Sequence, residues 1–498
     1  MYFSGNVLFP LQNGSDIRGV AMEGENEVNL TPEIVRTIGA SFGRWVAQKT
    51  GKTCDKLKIG VGSDSRVTGK TLKRAFLDGV LSVGAKGFDC SMASTPAMFM
   101  STVFPEAEFD GACMVTASHM PKDRNGLKFF TCGGGLEKDD IKLILTNAIG
   151  QEPKMVVADY ENFDLMTLYC EHLKKLIISG VGEDDKPLKG LKIVTDAGNG
   201  AGGFYAQRVL APLGADIEGS LYLEPDGSFP NHVPNPENKE AMAAIIKATV
   251  ENKADLGLIF DTDVDRASAV LEDGTPAAKD NLIALLASLI REQTPHCTIV
   301  TDSVTSDRLT DFLNNELKIT HHRFKRGYRN VINEAISLNE KGVLVPLAIE
   351  TSGHGAFKDN FFLDDGAYIA TKLVIALARA KKNGRSLESY IEKMAPAYES
   401  FEARMKITRE DYKEYGDEVL TAFKENAQKA GIKVVTPSYE GVRLSFPNGW
   451  LLLRKSLHEP LLPLNAEGTE EGALKEIVLT ALNLLKEFKD LDLSALKR

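Results

Sequence analysis

The chain has 498 residues, more than one hydrophobic core normally supports, so we predict three or four domains. Hydrophobic residues make up 43% and charged residues 26% of the chain, a balance that excludes an intrinsically disordered or membrane-embedded protein. The formal net charge is −10, with acidic and basic residues mixed throughout, which disfavours a nucleic-acid partner but allows a pocket for an anionic substrate.

Neither the cysteines nor the apolar runs indicate secretion or a membrane anchor. The six cysteines are scattered without a CxxC pair, as expected of reduced thiols in a cytoplasmic protein. The first ten residues lack the charged start and apolar stretch of a signal peptide. The longest apolar run, Leu282–Ile290, is about half the length needed to span a bilayer, so we expect no membrane segment.

Short apolar runs ending in Asp, Gly or Ser, each followed by helical periodicity, recur through the first three quarters of the sequence. They predict βαβ units, and in open α/β sheets ligands bind beyond the carboxyl ends of the strands. The predicted strands are Lys56–Gly62, Ala112–Val115, Leu191–Thr195, Leu256–Phe260, Ala267–Leu271, Thr298–Thr301 and Val343–Ile349. The predicted helices are Leu72–Val83, Phe204–Leu213, Asn281–Arg291 and Tyr368–Ala380.

The pattern changes from about Phe401 to a helix, three short strands and a long helix from about Glu470, which predicts a C-terminal α+β domain. The three strands are Lys433–Thr436, Val442–Phe446 and Trp450–Arg454. Loop-like junctions divide the chain into domains 1–153, 154–275, 276–386 and 387–498. The predicted fold class is therefore α/β, with three mixed α/β domains and a smaller α+β domain.

The first chemical motif, Thr116–Lys128, follows the apolar run Ala112–Val115, which is one of the predicted strands. Ser118 at a strand end, beside His119 and ten residues before Lys128, has the setting of a covalent nucleophile. Ser, Pro, Asn and Gly are also common turn residues, so a plain turn is the alternative. The absence of GxSxG counts against an esterase.

The second motif places Asp261, Asp263 and Asp265 at alternate positions of one loop, where they would repel each other unless a cation lay among them. A divalent metal is the economical explanation, and a solvated acidic turn is the alternative. We reject an EF-hand because Arg266 occupies the loop position that requires glycine. In addition, the segments on both sides of the loop are predicted to be strands, whereas an EF-hand loop lies between helices. Three oxygen ligands leave Mg²⁺ with open positions that suit phosphate chemistry.

Two further motifs follow predicted strands. Glu350–Gly355 offers Glu350 and Ser352 to sugar hydroxyls and His354 as a proton shuttle or phosphate ligand, although a capped strand-to-helix turn fits equally well. Arg454–Pro460 gathers cationic, hydroxyl and imidazole donors that would bind phosphate, and its alternative is a basic surface turn.

Together, in this order and spacing, the four motifs resemble the α-D-phosphohexomutases, the family of phosphoglucomutases and phosphomannomutases. The resemblance extends over nearly the whole chain, because connecting segments match as well. These segments are Ser15–Gly19, Val61–Arg66, Thr95–Pro96, Pro225–Pro230 and Pro234–Pro236. This family resemblance implies three related α/β domains and a smaller, movable fourth domain around a central cleft.

The resemblance also implies a role for each matching residue. Ser118 would carry the phosphoryl group and, with Asp261, Asp263 and Asp265, bind Mg²⁺, while Arg266 would lie beside that phosphate. His119, Lys128 and Arg18 would assist transfer, with Lys128 or His354 as general acid and base. Glu350 and Ser352 would hold the sugar. Arg454, Ser456, Leu457 through its amide, and His458 would hold the phosphate that is not transferred.

The implied reaction passes phosphate from Ser118 to a hexose monophosphate, forms a bisphosphate sugar that turns over, and returns the other phosphate to Ser118. Glucose 1,6-bisphosphate is the expected activator. We expect a small sugar phosphate as the partner, with no nucleic acid and no membrane, and a monomer or homodimer. The loop of Glu350 and Ser352 resembles that of the dual-specificity branch of the family, which implies glucose and mannose phosphates as substrates.

Several positions depart from the family pattern. Arg329 stands where a loop usually ends in Lys, which keeps the charge but removes a possible base. The other departures are Met120, Arg124, Ile349, Leu457, His458 and Pro463. Three alternatives remain open: an aminosugar phosphate mutase, using glucosamine or N-acetylglucosamine phosphate; a non-catalytic sugar-phosphate-binding relative; and a phosphohydrolase that forms an aspartyl phosphate.

Overall fold

A computed structural model describes residues 2–152, 159–182, 185–456 and 459–497. The chain divides into two compact units. The first unit comprises Met1–Ala278 and Ser352–Glu388, and the second unit comprises Lys279–Thr351 and Ser389–Arg498. The predicted junction after residue 153 lies outside the described residues. The four predicted domain boundaries stay predictions.

The N-terminal part of the first unit is built on an eight-stranded mixed sheet flanked by helices. Lys58–Ser63 lies between Lys86–Met92 and Gly111–Val115 and pairs with both in parallel. The remaining strands are Gln12–Asn13, Asp16–Val20, Arg124–Thr131, Gly134–Gly135 and Glu161–Asn162. The helices are Gly5–Leu8, Pro32–Thr50, Gly69–Ser82, Thr95–Met100, Lys138–Ala148 and Leu165–Val181.

Local signals fix the helix Pro32–Thr50. Thr31 caps its start by accepting a hydrogen bond from the amide of Ile34, and Gly51 ends it in the left-handed conformation. Its inner face packs Phe42 against Phe76 and Phe129, with ring centroids 5.9 and 4.9 Å away. This apolar core supports the fully buried strand Gly111–Val115, whose end leads to Ser118.

The second sheet of the first unit has four strands, in which Leu256–Phe260 lies between Ile193–Asp196, in parallel, and Ala267–Leu271, antiparallel. Its outer strand is Pro276–Ala277. The helices of this region are Lys239–Glu251 and Gly366–Lys382, and the strands Gly355–Phe357 and Leu363–Asp364 form an antiparallel pair. The helix predicted over Phe204–Leu213 is instead a π-helix, Tyr205–Leu210, followed by the 3₁₀ helix Ala211–Leu213, whose Pro212 has no amide hydrogen to continue an α-helix.

The second unit contains a parallel arrangement of three strands, with Thr298–Thr301 between Thr320–Arg323 and Leu347–Ile349. The α-helices of this region are Asp280–Gln293, Asp307–Asp311 and Tyr328–Glu340, and Phe312–Glu316 is a π-helix. The strand predicted from Val343 begins only at Leu347, because Val343 and Leu344 are largely exposed and precede Pro346.

The C-terminal sheet of the second unit has five antiparallel strands, so the prediction of three strands is wrong. The two missed strands, Glu399–Lys406 and Leu461–Gly468, pair with each other over their whole length. The others are Lys433–Val434, Val442–Phe446 and Gly449–Leu453. Helices Tyr412–Lys429 and Ala473–Leu485 complete this region. Among the residues that the structure describes, no helix is both long and apolar enough to cross a membrane.

Candidate active site

The carboxylates of Asp261, Asp263 and Asp265 lie in the short loop that joins strands Leu256–Phe260 and Ala267–Leu271. Their side chains are buried, and one oxygen of each lies within 4.8 Å of the others. Strands on both flanks are incompatible with the helices of an EF-hand. The structure thus brings together the three predicted metal ligands.

The electrostatics of this cluster favour a cation. Burial and the neighbouring carboxylates of Asp265 and Asp263 raise the pKa of Asp261 well above its ordinary value. Burial would also raise the pKa of Asp265, but Lys128, His354 and Arg266 hold it well below its usual range. The Lys128 ammonium contacts Asp265 and lies 3.3 Å from Asp263 Oδ2.

Two oxygens of the cluster are left for a ligand. Asp263 Oδ1 and Asp265 Oδ1 are buried and have no hydrogen-bond partner among the described side chains and backbone. Buried polar atoms normally have a partner, and carboxylate oxygens are the ligands that Mg²⁺ prefers. The residues present therefore fit a magnesium ion.

Ser118 follows the strand Gly111–Val115 and adopts a left-handed backbone conformation with φ 51°, which is uncommon for a residue other than glycine. Its Oγ donates a hydrogen bond to Asp261 Oδ2 at 3.0 Å and accepts one from Arg266 Nη2 at 3.2 Å. The predicted nucleophile therefore lies at the edge of the carboxylate cluster, with a guanidinium beside it.

His119 Nδ1 lies 3.1 Å from Ser118 Oγ and accepts a hydrogen bond from Arg266. Burial of this edge of the ring and the Arg266 charge lower the pKa of His119, although the residue as a whole is exposed. A neutral imidazole with Nδ1 as acceptor places the ring proton on Nε2. Arg18 donates to the carbonyl of Thr116 and pairs with Asp16 at 2.8 Å.

Arg266 is held by residues from another loop. Its Nη1 lies 3.4 Å from Asn235 Oδ1 and 3.8 Å from Glu237, and its Nε lies 3.3 Å from Asp261 Oδ2. Asn235 belongs to the segment Pro234–Pro236 that the sequence singles out. Because these partners fix the guanidinium, Arg266 can present Nη2 to a group on Ser118 without losing its position.

His354 is paired with a carboxylate that the sequence analysis missed. Its Nδ1 lies 2.5 Å from Asp364 Oδ2 and 4.0 Å from Asp265 Oδ1. Burial alone would lower the pKa of His354, but these two carboxylates outweigh it and raise the pKa to about 9. The two carboxylates thus favour the protonated form of His354.

Thr95 is a second missed contributor. Its hydroxyl donates to Asp263 Oδ2 at 2.5 Å, and its amide donates to the carbonyl of Asp263 at 2.8 Å. The pair Thr95–Pro96 starts the helix Thr95–Met100, so the sequence did mark this position, although not its partner. Thr95 fixes one carboxylate oxygen of the cluster and leaves the other available.

Glu350, in the second unit, follows the strand Leu347–Ile349 and is almost fully buried. Its Oε1 accepts a hydrogen bond from the amide of Gly327 at 2.6 Å. Asp302, at the end of the neighbouring strand, accepts one from the hydroxyl of Thr351 at 2.8 Å. Burial and the charge of Glu350 raise the pKa of Asp302 to about 7. The sequence analysis assigned no role to Asp302.

Two further predicted substrate-binding residues, Ser352 and Arg329, belong to different units of the chain. Ser352 is buried and belongs to the first unit. Arg329 is half-buried in the first turn of the helix Tyr328–Glu340 in the second unit. The side chain of Arg326 in the same loop lies 3.9 Å from Asp302 Oδ2.

Arg454 follows the strand Gly449–Leu453 and lies 3.8 Å from Glu440 Oε1, while burial lowers its pKa. Glu440 Oε2 also accepts hydrogen bonds from Ser303 Oγ at 2.5 Å and from the amide of Arg326 at 3.0 Å. Glu440, which the sequence did not suggest, therefore joins the predicted phosphate loop to the loop at Gly327.

Ser456 is the next predicted residue of the phosphate loop. The amide of Ser456 donates to the carbonyl of Leu461 at 3.1 Å, and its hydroxyl accepts from the amide of Glu459 at 3.2 Å. Leu457 and His458 lie outside the described residues.

Three family models match consecutive stretches of the chain. They describe phosphoglucomutase/phosphomannomutase alpha/beta/alpha domains I, II and III, and they match residues 10–154, 167–274 and 278–398. With the antiparallel C-terminal sheet, these matches confirm the predicted fold class of three α/β domains and a smaller fourth one.

The sequence is similar to enzymes along nearly its whole length. A phosphoglucomutase/phosphomannomutase from Thermococcus kodakarensis is 30% identical over 481 residues, covering 95% of this chain and 97% of that one. A phosphomannomutase/phosphoglucomutase from Pseudomonas aeruginosa is 29% identical over 478 residues, covering 95% and 94%. The crystal structure of a phosphoglucomutase/phosphomannomutase family protein from Burkholderia thailandensis superimposes with a TM-score of 0.80 at 28% identity, covering 98% and 100%. The chain therefore belongs to the phosphoglucomutase/phosphomannomutase family of phosphohexomutase enzymes.

Proposed function

We propose that this protein interconverts hexose 1-phosphate and hexose 6-phosphate, of glucose, mannose or both, with Ser118 as the phosphoryl carrier. The observation that carries this proposal is the position of Ser118 Oγ, 3.0 Å from Asp261 Oδ2 and 3.2 Å from Arg266 Nη2, at the edge of three buried carboxylates. Phosphoryl transfer depends mainly on positioning and on stabilising negative charge, and both are supplied here.

In the proposed reaction the bond between phosphorus and Ser118 Oγ breaks while a bond forms to the free hydroxyl oxygen of the sugar. The hydroxyl proton passes to a base and Ser118 is released, giving a hexose 1,6-bisphosphate. Return of the other phosphate reverses these steps at the opposite end of the sugar. Lys128 and His354 are the candidates for the general acid and base, because both side chains lie beside the carboxylate cluster.

Asp261, Asp263, Asp265 and a phosphate oxygen on Ser118 would hold the magnesium ion. When bound, the ion neutralises negative charge on the transferring phosphoryl group. Arg266 donates to the oxygen on Ser118 and lies in position to bind its phosphate, while His119 faces the same atom. Arg18 orients the backbone that leads into Ser118 through the carbonyl of Thr116.

The remaining predicted residues would bind substrate. We assign Glu350 and Ser352 to the sugar hydroxyls and Arg329 to a substrate oxygen. Arg454, Ser456, the amide of Leu457 and His458 would hold the phosphate that is not transferred. The partly enclosed guanidinium of Arg454, 3.8 Å from Glu440 Oε1, supports an anionic ligand. We further propose glucose 1,6-bisphosphate as activator, a monomer or homodimer, and a cytoplasmic location.

The first test compares wild type with Ser118→Ala for conversion of glucose 1-phosphate and mannose 1-phosphate to their 6-phosphates, with Mg²⁺ and a trace of glucose 1,6-bisphosphate. We expect Ser118→Ala to lose nearly all activity, because it removes the hydroxyl that contacts both Asp261 Oδ2 and Arg266 Nη2. Ser101→Ala is the matched control. It removes a buried serine of the same region whose Oγ donates to the carbonyl of Met98, and it should stay active.

Each alternative has its own outcome. Isomerisation retained in Ser118→Ala would refute the phosphoserine mechanism, and release of inorganic phosphate that survives this substitution would indicate an aspartyl-phosphate phosphohydrolase. A clear preference for glucosamine or N-acetylglucosamine phosphate over both hexose phosphates would replace the substrate assignment with the aminosugar class. No turnover of any of these sugars by phosphorylated, magnesium-loaded protein would favour a binding role.

A further inference from the structure

The side chain of Arg66 takes no part in the function proposed above, yet it lies directly beneath the loop that carries Ser118. It is almost fully buried, with 3% of its surface exposed. Its two terminal nitrogens donate hydrogen bonds to four main-chain carbonyl oxygens of this loop. The acceptors are Ser118 at 2.6 Å, Met120 at 2.5 Å, Pro121 at 2.8 Å and Arg124 at 2.8 Å. One guanidinium therefore holds the whole turn that follows Ser118.

A second chain of contacts holds the other side of Ser118. Its amide donates to Thr116 Oγ1 at 2.9 Å, and that hydroxyl donates to Asp64 Oδ2 at 2.6 Å. Asp64 in turn accepts from the amide of Arg66 at 2.9 Å, and its Oδ2 lies 3.5 Å from Arg66 Nε. Both the amide and the carbonyl of Ser118 are thus fixed by the Asp64 and Arg66 pair, while Oγ is left for chemistry.

A third segment closes over Arg66. The ring of Phe229 lies 5.3 Å from the guanidinium carbon, within the range of a cation–π contact. Gly227 approaches so closely that a Cβ there would lie 2.3 Å from the carbonyl oxygen of Ser65. Three segments that the sequence analysis singled out therefore meet at one guanidinium: Val61–Arg66, Thr116–Lys128 and Pro225–Pro230.

We propose that Arg66 is a positioning residue for phosphoryl transfer, which keeps Ser118 Oγ within reach of Asp261 and Arg266. The proposal rests on the function proposed above, in which Ser118 carries the phosphoryl group. Ser118 needs such support because its left-handed backbone is unfavourable for a serine. Lysine cannot replace Arg66, because a single ammonium cannot reach four carbonyls with the fixed fork of a guanidinium.

The test measures kcat and KM of Arg66→Lys with glucose 1-phosphate or whichever sugar phosphate the wild type turns over. Single-turnover phosphorylation of Ser118 by glucose 1,6-bisphosphate is followed by intact mass. We expect kcat and the phosphorylation rate to fall about 100-fold, the order of loss that a displaced reacting group causes. KM should change less than about twofold, because Arg66 contacts none of the proposed substrate-binding residues in the part of the chain that the structure describes. Arg74→Lys, at an exposed helix position paired with Asp78, is the control.

Two results would overturn the proposal. The first is a folded Arg66→Lys protein with kcat within about twofold of wild type. If Arg66→Lys does not fold, Thr116→Val replaces it, because it removes the hydroxyl that ties Ser118 to Asp64. A folded Thr116→Val protein with unchanged kcat is then the second such result. Ser118→Ala run in parallel separates the two proposals, since activity in that variant contradicts the phosphoserine mechanism itself.

Discussion

The two carboxylate oxygens of Asp263 have different surroundings. Oδ2 accepts a hydrogen bond from the hydroxyl of Thr95 at 2.5 Å and lies 3.3 Å from Lys128 Nζ. Oδ1 is buried and has no hydrogen-bond partner in the described part of the chain. One oxygen is therefore held by the protein, and the other is free to bind a cation.

This division leads to a prediction for Asp263→Asn. The asparagine side chain has the same shape as aspartate and keeps a carbonyl oxygen that can accept the hydrogen bond from Thr95, but it lacks the negative charge that binds Mg²⁺. The magnesium concentration for half-maximal activity should therefore rise at least about tenfold. Without Mg²⁺ the melting temperature should stay equal or rise, because one of three mutually repelling buried carboxylates is gone. Magnesium titrations of the initial rate and thermal scans in EDTA measure the two effects.

The control for that prediction is Asp273→Asn, in an exposed turn where the carboxylate accepts hydrogen bonds from the amide and hydroxyl of Thr275. It should leave the magnesium requirement unchanged. Full activity of Asp263→Asn at low magnesium would contradict the assignment of Asp263 as a metal ligand. A large drop in the melting temperature of this variant in EDTA would show that Asp263 mainly stabilises the fold.

At the residue scale, sequence could predict groups that share one segment but not their partners from other segments. Asp261, Asp263 and Asp265 are three alternate positions of one loop, so their proximity follows from local geometry. The contact between His354 and Asp364 depends on how a short hairpin folds back. Glu440, which reaches Ser303 across 137 positions of the chain, could not be found without the tertiary structure.

At the element scale, two helices of the first unit approach each other at glycines. A Cβ at Gly79, in the helix Gly69–Ser82, would lie 2.0 Å from the carbonyl oxygen of Arg36 in the helix Pro32–Thr50. A Cβ at Gly39 would lie 2.4 Å from the carbonyl oxygen of Phe76. Both obstacles are main-chain atoms, so neither can be avoided by a side-chain rotation.

We therefore expect Gly79→Ala to destabilise the first unit by about 1–3 kcal/mol, the usual cost of overpacking, despite the better helix propensity of alanine. Urea unfolding followed by circular dichroism gives this free energy. Gly43→Ala is the matched control, because the atoms that its Cβ would meet belong to the side chains of Val83, at 2.9 Å, and Ile59, at 3.9 Å, which can shift. Equal stability of Gly79→Ala and wild type would show that the two helices can separate at no cost.

Strand prediction succeeded where a strand is buried on both faces. Leu256–Phe260 and Ala267–Leu271 are short apolar runs with clear ends, and both were predicted with their observed bounds. Leu461–Gly468 was missed because Pro463 and the polar residues inside it argue against a strand, although it pairs on both sides. Glu399–Lys406 does alternate between partly buried and exposed residues, a signal that could have been used.

For the whole molecule, the motif order predicted the family and the fold class, and both are confirmed by the family models and the relatives. The division into two compact units was not predicted, because the chain leaves the first unit after Ala278 and returns to it at Ser352. A sequence read in order gives no sign of such a return. As a result Glu350 and His354, only four positions apart, belong to different units.

The division into two units determines which part of the chain a bound magnesium ion should stabilise. All three aspartates of the cluster belong to the first unit, so a bound ion stabilises the native state of that unit by linkage. At a free magnesium concentration 100 times Kd the gain is about 2.7 kcal/mol. Hydrogen exchange of amides that open only on global unfolding of this unit should then slow by about 100-fold.

Hydrogen-exchange mass spectrometry with and without Mg²⁺ tests this expectation. Peptides from strands Leu256–Phe260 and Ala267–Leu271 should show the slowing, while strand Val442–Phe446, in the separate C-terminal core, serves as the internal reference and should not. In Asp263→Asn the slowing should disappear at the same magnesium concentration. Slowing that survives Asp263→Asn would mean that the ion acts through residues other than this carboxylate cluster. Equal slowing in all three strands would mean that the stabilisation extends beyond the first unit.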